Sequence, residues 1–243
     1  MSLTASICLV FFICFFANAV QAAVGFGFVI ICMALFPMFL PIGHCLVLAQ
    51  FGAVLSGLWL LWGSFRSIPW RYVAFPVLFS SAGSLIGLLF LQGVSNDAYR
   101  KALGVLLVVL AFWMWKFSAR VRIKASPLSG TVCGLSAGVM GAFFGVSVPP
   151  LVLYYSANMD SKESYMVPLQ TTLMIQTAVC LAGRAGLGMW PVEVWPLLPA
   201  AALGLLLGKL PGRVVYERMD TARMKLLIYL FVGILGAYTF FSA

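Results

Sequence analysis

The sequence predicts an all-α polytopic membrane protein made of two internal repeats, each a broken or re-entrant first element followed by three transmembrane helices. Three observations carry this prediction. The 243 residues are 63% hydrophobic and only 9% charged, with a mean hydropathy of +1.07, whereas a soluble domain carries about 25% charged residues. Apolar stretches of roughly 18 residues or more recur from end to end. Finally, the offset of 120 residues between Gln50 and Gln170 also separates Gly25 from Gly145, Gly63 from Gly183, Trp70 from Trp190 and Pro76 from Pro196. It slips by one at Gly83 and Gly204 and at Gly87 and Gly208, and Asp97-Ala-Tyr-Arg100 resembles Asp220-Thr-Ala-Arg223. One slowly slipping offset across such residue types marks a duplication. The first repeat is assigned to residues 1–117, a basic linker to 118–126 and the second repeat to 127–243, the whole forming one integral membrane domain.

The elements follow in order. Met1 to Ala22 ends in small residues like a signal peptide, but no Lys or Arg precedes its apolar core and the run continues to Pro41, so it is expected to be part of the mature protein. Ser6 to Pro41 is apolar apart from Asn18 and Gln21. As one helix it would be roughly 50 Å long, beyond a ~30 Å hydrocarbon core, so it must tilt strongly, break or fold back. Val24-Gly25-Phe26-Gly27-Phe28 supplies the break, because glycine weakens a helix interior. Spans are expected near Cys45–Gly63, Tyr72–Gln92 and Ala102–Trp115. The second copy opens on a broken element at Ser126–Asn158, with Gly138, Gly141, Gly145 and Pro149-Pro150 as its interruption. Proline favours the first turn of a helix, so a helix is expected to start there with free N–H groups before it, suited to an anion. Spans near Tyr165–Gly183, Val194–Leu210 and Met224–Phe241 complete the copy.

Charge parity bears on the path of the broken elements. If each crosses once, the fifteen Lys and Arg divide seven against eight; if each folds back, they divide twelve against three. The second split is the one a positive-inside bias produces. It implies inverted repeats, both termini outside and the linker in the cytoplasm.

Several function classes are excluded. Basic residues lie singly or in small groups at the ends of apolar runs, without a basic stripe for nucleic acid. The sequence contains no G-x-S-x-G, H-E-x-x-H or phosphate-binding loop, so no enzyme, cofactor or metal site is expected. Cys8, Cys14, Cys32, Cys45, Cys133 and Cys180 form no C-x-x-C pair and read as packing thiols. All six acidic residues fall in loops or at span ends, which leaves His44 as the one candidate for a proton role; the alternative is an ordinary interfacial histidine. Arg184 at a span end either attracts anions or snorkels to headgroups. The embedded polar residues are neutral: Asn18, Gln21, Gln50, Ser147, Gln170, Thr171, Thr172, Gln176 and Thr177. Amides, hydroxyls and glycine-rich backbone can hold an anion, and each alone can equally be a helix–helix hydrogen bond. Gln50 and Gln170 stand at equivalent points of the repeats. The expected substrate-binding set is Gln21, Gly25, Phe26, Gly27, Gln50, Gly145, Ser147, Pro149, Gln170 and Thr171, read as the two halves of one site.

On Gln21-Ala-Ala-Val-Gly25-Phe-Gly27-Phe and Gly145-Val-Ser-Val-Pro149-Pro150-Leu-Val-Leu-Tyr154, with the duplicated layout around them, nearly the whole chain resembles the sulfite exporter TauE/SafE family, also called the toluene-sulfonate uptake permease family. It departs from that family's Gly-x-Gly-Gly-Pro-Pro at Ser147 and Val148, and from a frequent Arg at Met166. The resemblance implies a secondary transporter of sulfite, organosulfonates or related small organic anions in the bacterial inner membrane. Its expected partners are a small anion and the lipid bilayer; a homo-oligomer is compatible with the sequence. The alternatives are a permease for another small organic anion or neutral solute, or a non-transporting membrane assembly factor.

Overall fold

The computed structural model describes residues 2–24, 27–62, 68–91, 96–117, 126–159, 162–218 and 233–241. The helices are α1 (Leu3–Val24), α2 (Phe28–Leu35), α3 (Ile42–Leu61), α4 (Trp70–Leu91), α5 (Asn96–Phe117), α6 (Pro127–Phe144), α7 (Val148–Asn158), α8 (Lys162–Gly186) and α9 (Leu198–Arg218). A further helical segment covers residues 233–241, and no strand occurs among the described residues. Short 3-10 turns follow α2 at Phe36–Met38 and precede α9 at Val192–Leu197. Six of these stretches are long and apolar enough to cross a membrane: α1, α3, α4, α6, α8 and Val192–Lys209. The fold is therefore all-helical and multi-pass. Residues 118–125 of the linker and half of the expected last span, 224–232, lie outside the described residues.

Both expected breaks are present. The run from Ser6 to Pro41 is divided at Gly27, whose φ of 119° is left-handed backbone that an L side chain resists. The second element is divided at Gly145, with φ 74°. Each break separates a helix of full span length from a short one. The apolar stretch Phe28–Met38 and the 11-residue α7 each rise only about 16 Å, roughly half the hydrocarbon thickness. The start of α6 is written in its sequence: Ser126 accepts the Ser129 N–H at 3.0 Å, Ser129 returns the bond to the Ser126 N–H at 3.0 Å, and Pro127 fills the first helical position.

The chain divides into two compact units, each drawing on both sequence halves: Met1–Gly52 with Val94–Ser118 and Trp190–Ala243, and Ala53–Gly93 with Ala119–Met189. In the first unit α1 packs along α9. A methyl group at Gly204 or Gly208 would collide with the carbonyl oxygens of Phe11 and Phe15, so these backbones touch, as small residues allow between membrane helices. Asn18 Nδ2 seals the contact by donating to the Leu205 carbonyl at 2.6 Å. In the second unit α4 packs along α6. Here a methyl group at Gly138 would strike the Ser80 carbonyl, and one at Gly83 would lie 2.5 Å from the Leu135 carbonyl oxygen. Helix α8 packs against α4 and α7.

Large apolar side chains reach the surface, while several polar ones join the apolar core. Phe12, Phe75, Leu78, Phe90 and Phe112 are exposed, while Asn18, Gln50, Ser84, Ser147, Gln170, Thr171, Thr172, Gln176 and Arg184 are buried. Only 28% of the α1 span is covered by protein, which leaves most of its apolar surface for lipid. The cysteines are free, with Cys8 exposed and the other five buried as packing thiols.

Candidate functional site

In the first unit the break after α1 is closed by its own side chains. Gly27 offers no side chain to cap α2, so the first amide of α2 needs another acceptor. Gln21, from the last turn of α1, provides it: its Oε1 accepts the Phe28 N–H at 3.2 Å. A sequence-predicted ligand thus has a backbone task. Nothing lies within 4 Å of a methyl group placed on Gly27, so that position needs glycine for its backbone angle rather than for space. Gly25 and Phe26 lie outside the described residues. Gln50 is buried on α3. His44 starts α3 with Nε2 placed 3.7 Å from Glu193 Oε2, whose side chain is 77% exposed. This is an edge contact, and it becomes an ion pair only when the imidazole is protonated.

The break in the second unit is built differently. Gly145 ends α6, its N–H bonded to the Gly141 carbonyl at 2.9 Å. Ser147 precedes α7 but makes no side-chain cap to it. Because Pro149 and Pro150 carry no N–H, the first-turn donors of α7 reduce to the amides of Ser147 and Val148. Neither donates a backbone hydrogen bond among the described residues. A helix start with free amides attracts negative charge.

Two side chains of α8 reach the last turn of α6, just before this helix start. Arg184 is 1% exposed and donates from Nη2 to the Ala142 carbonyl, in the last turn of α6. The sequence weighed snorkelling to headgroups; instead the guanidinium lies inside the unit, where the end of α6 leaves carbonyls without intrahelical donors. A permanent positive charge therefore sits three residues ahead of Gly145. Gln176 is fully buried, and its Nε2 donates to Ser84 Oγ of α4 at 2.7 Å. A methyl group on Gly141 would collide with Ser147 Oγ and lie 2.5 Å from Gln176 Nε2, so glycine there makes room for both polar groups.

Gln170 and Thr171 are buried one and a half turns earlier on α8. Thr171 Oγ1 donates to the Val167 carbonyl at 2.8 Å, leaving only lone pairs for any other partner. Thr172 bonds the Pro168 carbonyl at 3.0 Å and the Tyr155 hydroxyl at 2.6 Å. Sequence reasoning counted Gln176 among the embedded amides without placing it in the site, and passed over Ser84. Gln176 follows Gln170 by six residues on one helix, about 9 Å along the axis and about 120° around it, so spacing alone gave no signal for it.

The second-unit break therefore combines free amides, a hydroxyl and a buried amide side chain, with a buried guanidinium on the last turn of α6. It can hold a small anion without a metal. Searches of curated proteins and of solved structures found no match to the chain. A family model described as "Sulfite exporter TauE/SafE" matches residues 10–239. The chain belongs to the sulfite exporter TauE/SafE family.

Proposed function

We propose that the protein is a secondary transporter that exports small sulfur-containing anions, such as sulfite or organosulfonates, across a bacterial inner membrane by alternating access, binding its solute at the α6–α7 break. The observation that carries this reading is the α6–α7 break, where two free amides and the Ser147 hydroxyl follow a helix end whose Ala142 carbonyl is held by the buried Arg184. Sulfite-like anions are hydrogen-bond acceptors with diffuse negative charge, and these groups are donors.

An inverted repeat is part of the same proposal. It is supported by the recurrence of one packing device. Gly83, against Leu135 of α6, stands 121 positions before Gly204, against Phe11 of α1. In each unit a third element of one copy thus packs on a first element of the other. Short second pieces of about half a membrane thickness support folding back rather than crossing. With both broken elements re-entrant, the charge distribution favours a cytoplasmic linker. Repeats of this kind underlie many secondary transporters.

The membrane potential supplies a driving force. A negative interior favours anion exit by about 2.3 kcal/mol per charge per 100 mV, so export needs no coupled proton. The test is efflux of sulfite from proteoliposomes under imposed potassium diffusion potentials. An inside-negative potential should accelerate efflux in the absence of any pH gradient. Efflux that ignores potential and requires a pH gradient would overturn uncoupled export, and no sulfite flux above empty liposomes would overturn transport itself.

A further inference from the structure

We infer that Gln176 selects the solute: its side-chain carbonyl accepts a hydrogen bond from the transported anion, so the protein takes the hydrogen-bearing monoanion of a sulfur oxyanion in preference to an anion without a donor. This rests on the transport reading above and sharpens it.

Ser84 fixes the orientation of the Gln176 amide. Its hydroxyl has one hydrogen, and its Oγ lies 2.9 Å from the Ser80 carbonyl oxygen and 3.2 Å from that of Gly138. Carbonyl oxygens only accept, so the hydrogen points at one of those two. Toward Gln176 the hydroxyl can therefore only accept, and the glutamine must present its NH2, at 2.7 Å. That fixes the amide orientation. Gln176 Oε1 is left buried with no hydrogen-bond partner among the described residues. Buried carbonyls are rarely left in that state.

The amide group that carries this open acceptor lies beside an anion-attracting helix start, with its Nε2 the atom nearest Gly141. The Gln176 amide and Ser147 Oγ both crowd Gly141, and Ser147 immediately precedes α7. One solute can satisfy both features if it carries negative charge for the Ser147 and Val148 amides and an O–H for Gln176. Hydrogensulfite has this pair of groups. A sulfonate of similar size has the charge and lacks the donor. A site built to hydrogen-bond a hydroxyl rejects the analogue without one, because its own polar group is then buried unpaired.

The experiment is calorimetric binding to the purified full-length protein in lipid nanodiscs, at a mildly acidic pH where hydrogensulfite predominates. Hydrogensulfite is compared with methanesulfonate, a monoanion of similar size with a methyl in place of the hydroxyl. The wild type should prefer hydrogensulfite by about tenfold or more, and Gln176→Met should bring the two within about threefold. Equal binding by the wild type, or undiminished preference in Gln176→Met, overturns the assignment. If Gln176→Met does not fold, the wild-type comparison decides alone. Should both anions bind alike and be exported, transport stands and selection by Gln176 falls. If neither anion binds, both readings fall.

Discussion

At the α1–α2 break, Gln21 reaches forward from the preceding turn and takes up the first amide of α2. At the α6–α7 break, Ser147 leaves α7 uncapped, Arg184 binds the carbonyl of Ala142 and Gln176 keeps an open acceptor. Both breaks rely on a glycine at positive φ, so the backbone device is common and the chemistry is not. The first break answers its own unpaired groups from within the chain. The second leaves its donors and one acceptor for something else. The difference teaches that an interrupted helix is a site only where the freed groups remain unanswered.

The largest expected effect tests the charged end of that contrast. Arg184→Met removes a buried cation from the second break and strands the Ala142 carbonyl. Sulfite flux should fall to background in proteoliposomes, with a stability loss of about 2 kcal/mol in denaturant titration. Flux near wild type would mean the guanidinium is only a brace for α6. Next comes packing, where the two units should respond alike. Gly138→Ala drives a methyl into the Ser80 carbonyl, and Gly204→Ala does the same at Phe11. Each should cost about 1–3 kcal/mol, and a large imbalance between them would break the parallel between the units.

The glycines at the breaks should separate by their backbone angles. Alanine at Gly145, φ 74°, should cost about 1–2 kcal/mol, and at Gly27, φ 119°, more, since that angle lies further from the left-handed basin. Gly145→Asn should be milder than Gly145→Ala, while Gly27→Asn should gain little; thermal unfolding of the four variants reads this directly. The smallest effect is expected at Gln21→Leu. Losing the acceptor for the Phe28 N–H should cost about 1 kcal/mol and leave sulfite affinity unchanged. A large affinity loss would return Gln21 to the binding set.

Much of this was legible in the sequence, for identifiable reasons. The position of both breaks follows from length and glycine: Ser6 to Pro41 is too long for one crossing, and Gly27 and Gly145 are where the backbone turns. Burial of neutral polar side chains was equally readable, because amides and hydroxyls in an apolar run must turn inward; of the nine singled out, all but the half-buried Gln21 are buried. What the sequence could not supply was direction. A glutamine that caps a helix and one that faces a solute look the same in one dimension, so Gln21 entered the site set and Gln176 did not. Arg184 illustrates the same limit. Its position at a span end suits snorkelling, and only the arrival of the α6 terminus in space gives it a partner inside. Ser84 had no signal at all, since its importance comes from a neighbour 92 residues away.

The most direct measurement is anomalous diffraction from crystals of the protein soaked with selenite, the heavier congener of sulfite. The account predicts a selenium peak within hydrogen-bonding reach of the Ser147 and Val148 amides, next to Gln176 of α8. A peak at the α1–α2 break instead, or none at the α6–α7 break under saturating selenite, would contradict it.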